Sequence, residues 1–202
     1  HFVGEFSDSE YLCAVNASAS ARQNQISFYL HIPFCRHLCH YCGCNSYPAA
    51  KPETVEAYVG ALHREIDLVA RHIDNSRQIS QIHYGGGSPT SIPIPMLKEL
   101  NDHLLSIAPT IASPEIAIEC HPGYLSEHDW QQLTACGFTR YSIGIQDMKE
   151  EVLKAVNRRP SLLPLQEIRQ ILRASGATVN FDFIYGLPLQ SLDSFRKTIE
   201  QA

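Results

Sequence analysis

Hydrophobic positions change their period repeatedly along this chain. From Glu53 to Ile73 the apolar residues Val55, Val59, Leu62, Ile66, Val69 and Ile73 fall at spacings of three and four, which puts them on one face of an α-helix. Short apolar or alternating runs at Ile26–Ile32, Ile79–Tyr84, Glu115–Glu119, Arg140–Ile145 and Thr178–Ile184 have the length and residue types of strands. Helical stretches lie between them. One is expected over Pro95–Ser106. Another starts at Ser126, with Asp129 at the third helical position, Leu125 able to staple onto Trp130, and Gly137 as its stop. A third breaks near Pro160, resumes around Leu163 and stops at Gly176, and a last helix runs from Ser191 to the end. Residues 1–25 are polar and weakly patterned and read as a flexible lead-in.

A strand followed by a helix, five times over, predicts a parallel sheet with helical crossovers. Five such units fall short of an eight-stranded barrel, which takes about 250 residues. The fold class is therefore read as α/β: a partial, open parallel β/α barrel over residues 26–202. At least one further strand is expected beyond Ala202.

Composition narrows the function classes. At 202 residues, 44% hydrophobic and 18% charged, the chain has an ordinary globular mix, which excludes wholesale disorder. No apolar run approaches the roughly 18 residues of a membrane-spanning helix, and the first residues lack the marks of a signal peptide. The net charge of −5, from 16 Lys and Arg against 21 Asp and Glu, argues against a nucleic-acid partner.

Seven cysteines are present, and Cys35, Cys39, Cys42 and Cys44 crowd into ten residues. A secreted disulfide scaffold spreads its cysteines, so the cluster reads as a metal site in a reducing compartment, with the cytoplasm the expected location. Cys13, Cys120 and Cys136 read as incidental or buried residues.

Polar chemistry collects where the five strands end: the cysteine loop, Gly85–Thr90, Glu119–Pro122, Gly144–Asp147, and Asp182 with Gly186. In parallel α/β folds that is where ligands bind. Thiolates suit zinc or an iron–sulfur cluster. Three cysteines at gaps of three and two residues can hold three corners of a cubane and leave one iron open. Zinc held by the four cysteines, or by three with His37 or His40, is the alternative.

The Cys35-x₃-Cys39-x₂-Cys42 spacing resembles the radical S-adenosylmethionine enzymes, and a glycine-rich stretch follows on the next strand as that superfamily has it. The likeness extends further. Tyr29–Cys35, Cys42–Asn45, Gly85–Thr90, Ile118–Glu119, Gly144–Asp147, Val156–Arg158 and Phe181–Pro188 look like the oxygen-independent coproporphyrinogen III oxidase family, from about residue 27 onward. That resemblance implies oxidative decarboxylation of two propionates of coproporphyrinogen III to vinyl groups, giving protoporphyrinogen IX in haem biosynthesis. A 5′-deoxyadenosyl radical, made from S-adenosylmethionine at a [4Fe–4S] cluster, would abstract the hydrogen.

By the same resemblance Cys35, Cys39 and Cys42 are the cluster ligands. Tyr29, Gly86 and Glu119 hold a first S-adenosylmethionine. Tyr41, Gly87, Ser88, Gln146, Arg158 and Asp182 hold a second. Cys44 matches a cysteine needed for activity but not for ligation. The porphyrinogen substrate and an external electron donor and acceptor are the implied partners.

Plainer readings stand beside these. Tyr29 can pack beneath the loop, Glu119 and Asp182 can form structural pairs, Gln146 can cap a turn, and Arg158 can be a solvated charge. The haem-chaperone branch looks similar over the same stretch, with His31, His37 and His40 as possible axial ligands. Cys44 after Cys42-Gly43, and Gln146-Asp147 followed by Asn157-Arg158, lean toward the oxidase.

Two departures from the family pattern stand out. Cys120-His121 replaces the usual Val-Asp, and Ser88 replaces a common Thr. The family's C-terminal domain is expected beyond Ala202. A tetracarboxylate substrate calls for cations, and no basic pocket is legible in the sequence.

Overall fold

The computed structural model describes residues 7–19, 24–48, 50–74 and 76–201. The chain opens with α1 (Asp8–Ala19), followed by β1 (Gln25–Ile32), the two-residue strands β2 (Phe34–Cys35) and β3 (Tyr47–Pro48), and α2 (Pro52–Ala70). Then come β4 (Gln78–Gly86), α3 (Ile94–Ser106), β5 (Thr110–Cys120), α4 (Glu127–Thr134) and β6 (Arg140–Gln146). The chain continues through α5 (Glu150–Ala155), α6 (Leu165–Ala174), β7 (Thr178–Phe183) and α7 (Leu192–Gln201).

Five strands form one sheet in the order β1-β4-β5-β6-β7, every pair parallel. Each strand lies beside the next one in the winding, as in a barrel that has not closed. Helical crossovers make that possible, because parallel neighbours need a long return path. α2 buries Val55, Val59 and Ile66, three of the residues that set its period. Ile79, Ile82 and Tyr84 of β4 are wholly buried, as a central parallel strand requires. Phe138 meets Tyr84 and Tyr141 edge-on, at ring distances of 5.3 and 6.1 Å.

The capping box predicted at α4 is formed. Ser126 Oγ accepts from the Asp129 amide at 3.2 Å, and the Asp129 carboxylate accepts from the Ser126 amide at 2.8 Å. Leu125 and Trp130 are both buried beside it.

The lead-in read over 1–25 needs correction for residues 8–19, which form α1; residues 1–6 and 20–23 lie outside the described residues. The described side chains of α1 are exposed except for the half-buried Val15, so the helix carries no apolar stripe. Its start was nonetheless encoded. Ser7 and Glu10 form a capping box, with the Ser7 amide donating to Glu10 Oε2 at 2.8 Å and the Glu10 amide donating to Ser7 Oγ at 3.3 Å.

β5 begins well before the predicted Glu115. Pro114 lies inside it, and the register with β4 shifts between Ile79 and Gln81. A proline cannot donate to the ladder, so the alternation is interrupted there.

Candidate active site

The carboxyl end of β1 runs through Pro33 into the cysteine loop. The loop leaves on β2 and returns on β3, with Phe34 opposite Tyr47 and Cys35 opposite Pro48. The Tyr47 amide closes it by donating to the Pro33 carbonyl at 2.7 Å. The glycine-rich end of β4 is stitched to the loop's base. The Gly87 amide donates to the Ile32 carbonyl, and the Ser88 amide to the Phe34 carbonyl, both at 2.9 Å.

A cavity of about 310 Å³ opens between these segments and the ends of β5, β6 and β7. Cys35, Cys39, Cys42 and Cys44 line it, as do Tyr41, Gly86, Gly87 and Ser88. Glu119, Gln146, Arg158 and Asp182 complete the set contributed by the later strands and the loop after α5.

The cysteine loop is held from outside by the chain leaving α5. The His40 amide donates to the Val156 carbonyl at 3.0 Å, and Asn157 Nδ2 to the Leu38 carbonyl at 2.9 Å. Arg158 donates from one guanidinium nitrogen to Cys39 Sγ at 3.5 Å and from the other to the Gly144 carbonyl. Burial pushes the Cys35 thiol up; the neighbouring Cys42 and Cys39 thiols add to this, while Ser46 and Arg158 oppose it. A thiol in such a place becomes a thiolate when a metal supplies the positive charge.

Among the described residues no three His, Cys, Asp or Glu groups gather tightly enough to hold one metal ion. The loop thiols line one cavity wall. Three thiolates of one loop can ligate three irons of a cubane cluster, whereas a structural zinc takes four ligands.

Glycines shape the cradle. Gly86 has a φ of +114°, and a Cβ there would come within 2.8 Å of the His31 ring. A Cβ on Gly87 would stand 2.9 Å from both Cys35 Sγ and the Phe34 carbonyl oxygen. On Gly144 it would meet Gln146 Nε2 at 2.6 Å and Arg158 Nη2 at 2.9 Å. Gln146 itself has a φ of +70°, a left-handed conformation that costs a non-glycine residue energy and often marks a functional position.

Among the described residues, the hydroxyl of Tyr41 and the Oε1 of Gln146 are buried without a geometric hydrogen-bond partner. Unpaired buried polar atoms are rare, and two on residues that line one cavity mark a polar site there. The donor set, the glycine cradle and these orphaned atoms fit an iron–sulfur cluster with S-adenosylmethionine.

The acidic residues have defined partners. Glu119 Oε1 lies 3.0 Å from His83 Nε2. Asp182 accepts from Ser142 Oγ and from Asn180 Nδ2, each at 2.7 Å. Tyr29 is the one predicted site residue that does not line the cavity. It is 58% exposed and stacks on His83 with ring centres 5.7 Å apart. It still borders the site, because a Cβ on Gly85 would meet both Tyr29 Oη and Glu119 Oε1 at 3.0 Å.

His121, the departure from the family's acid, is held neutral: burial, helped by the Arg158 charge, pushes its pKa down to about 3. Its Nδ1 accepts from the Gly123 amide at 3.1 Å, which needs the neutral ring. Sequence reasoning missed His83, Ser142, Asn180 and the loop contact of Asn157. Only Asn157 carried a signal, as part of the Val156-Asn157-Arg158 motif.

Among curated proteins the chain is 36% identical over 198 residues to an oxygen-independent coproporphyrinogen III oxidase of Synechocystis, covering 98% of this chain and 42% of that protein. It is 37% identical over 185 residues to the Pseudomonas aeruginosa protein of the same name, covering 87% of this chain and 39% of that one. This chain thus spans about two-fifths of the length of the relatives it matches.

The solved structure of coproporphyrinogen III oxidase from Escherichia coli, described as a radical SAM enzyme, superposes with a TM-score of 0.87 at 35% identity, over 96% of this chain and 44% of that one. A radical S-adenosylmethionine methyltransferase from Kitasatospora setae shares the fold at a TM-score of 0.56 and 16% identity, over 89% of this chain and 34% of that one. Residues 29–202 match the family model of the Radical SAM superfamily, and with the cysteine loop, glycine cradle and strand-end cavity in place, the chain belongs to that superfamily.

Proposed function

We propose that this chain is the cluster-bearing part of an oxygen-independent coproporphyrinogen III oxidase, which decarboxylates two propionates of coproporphyrinogen III to vinyl groups. The observation that carries the reading is one cavity lined by Cys35, Cys39 and Cys42 together with Gly86, Glu119, Gln146, Arg158 and Asp182. Identity of 36% to an oxidase, over 98% of the chain, supports it. A bound [4Fe–4S] cluster and S-adenosylmethionine would supply a radical able to take hydrogen from an unactivated carbon.

The chain's own residues do the positioning. Cys35, Cys39 and Cys42 hold the cluster. Gly86 and Gly87 let a ligand approach the backbone closely. Glu119, steadied by His83, accepts from ribose hydroxyls. Tyr41, Gly87, Ser88, Gln146, Arg158 and Asp182 line the same cavity and would seat a second S-adenosylmethionine, with Arg158 and Asp182 bringing opposite charges to it. Cys44 is exposed, and its thiol is pushed up by partial burial and by the hydrogen-bonded Cys42.

Electron paramagnetic resonance of the anaerobically reconstituted, reduced protein tests the reading. A [4Fe–4S]⁺ signal that changes on adding S-adenosylmethionine is the expected result, followed by carbon dioxide release from coproporphyrinogen III in a chain of the relatives' full length. A stoichiometric zinc protein with no cluster would overturn it.

A further inference from the structure

Two arginines converge on one tyrosine beside the cavity. The guanidinium carbon of Arg36 lies over the Tyr124 ring at 5.1 Å from its centre, and that of Arg159 at 5.4 Å. Tyr124 is fixed in turn, because its hydroxyl is 2.5 Å from His37 Nδ1. Among the described residues neither guanidinium pairs with a carboxylate or donates a hydrogen bond to the protein. In a chain with more acidic than basic residues, two unpaired arginines on one ring are conspicuous.

A guanidinium held over an aromatic face and bonded to no protein acceptor keeps its N–H groups free, and those groups match a carboxylate two bonds at a time. Two like charges held on one ring also repel, which an anion bound beside them relieves. Arg36 lines the cavity itself. Arg159 lines the adjoining depression, where Lys154 and Arg158 outnumber the single carboxylate, Glu150.

Size selects the occupant's position. The cavity of about 310 Å³ is at the small end for ligand pockets and has to take cluster and S-adenosylmethionine. A tetrapyrrole macrocycle must therefore rest at the mouth, with one propionate reaching inward.

We infer that Arg36 and Arg159, held on Tyr124, form a carboxylate anchor that grips the propionates of the porphyrinogen not undergoing reaction. This rests on the proposed function. It supplies the basic site that the sequence did not reveal.

The test is anaerobic equilibrium ultrafiltration of the reconstituted protein with coproporphyrinogen III and with its tetramethyl ester, the free fraction being oxidised and read by fluorescence. Arg36→Gln and Arg159→Gln should each weaken binding of the acid roughly tenfold, as loss of a charge-assisted hydrogen bond predicts. Arg36→Lys should recover part of the loss, and ester binding should not change.

Unchanged affinity for the acid in both Gln variants overturns the anchor alone. A parallel loss for acid and ester would make the pair a latch between loops, and also overturns it. No binding by the unsubstituted protein overturns the substrate reading and the anchor with it. Should Arg36→Gln fail to retain iron, Arg159→Gln, outside the cysteine loop, carries the test.

Discussion

At the scale of single residues, the site depends on what is missing as much as on what is present. Gly87 lacks the Cβ that would stand 2.9 Å from Cys35 Sγ, so the cysteine and the glycine stretch can lie against each other. Gly87→Ala should cost about 1–3 kcal/mol through forced displacement. It should also lower the iron retained after reconstitution, measured against the denaturation midpoint.

His121 makes a second prediction. In the fold its ring stays neutral down to about pH 3, whereas an unfolded chain protonates it near 6.5. The unfolded state therefore binds more protons between those values. Stability from this group is complete above about pH 6.5 and drains away as the pH falls toward 3. His121→Asn, which keeps an acceptor for the Gly123 amide, should flatten that part of the stability profile in thermal melts at stepped pH. An unaltered profile would show that the ring does not titrate in this way.

At the scale of elements, the short helix α5 matters for the segment at its exit. That segment holds the cysteine loop through Val156, Asn157 and Arg158, residues more than a hundred positions away in sequence. Asn157 has a φ of +56°, which asparagine tolerates better than most residues. Asn157→Ala loses the bond to the Leu38 carbonyl and meets backbone strain, together about 1–3 kcal/mol. Asn157→Gly relieves the strain but not the lost bond. Hydrogen exchange should therefore quicken over residues 36–46 in both variants, with the larger fall in global stability in the alanine variant. Equal, wild-type exchange in that loop would mean that the contact does not hold it.

At the scale of the whole molecule, one buried carboxylate ties the last helix to the sheet. Asp147, 1% exposed at the end of β6, accepts from the Lys149 amide at 2.7 Å, from Thr198 Oγ1 of α7 at 3.1 Å, and from Gln190 Nε2. Asp147→Ala leaves these donors unpaired, at about 1–3 kcal/mol for each that stays buried. Exchange should rise across α7 while β4 and β5, at the centre of the sheet, stay protected. Uniform loss of protection would show instead that Asp147 supports the sheet as a whole.

The winding was legible because helical and strand periods alternate cleanly from Ile26 onward, and because Ser126-x-x-Asp129 and Gly137 mark a helix at both ends. The cysteine loop stood out because its cysteines are close in sequence, so their spacing already limits what they can hold. The helix over 8–19 was not, since an exposed helix has no apolar stripe and only the Ser7–Glu10 box marks it.

The residues that line the cavity around the cysteines were legible one by one, through motifs, but their support was not. His83 beneath Glu119, Asn157 behind Leu38, and Arg36 with Arg159 on Tyr124 join side chains from different strand ends and loops. Sequence alone determined the main strands and helices from Ile26 onward and which residue types stand at the strand ends, because period and spacing are local properties. Only the tertiary structure decided which of those groups face one cavity, which stand unpaired and which hold the others in place. Those relations depend on parallel strands brought side by side by long crossovers, and no local pattern records them.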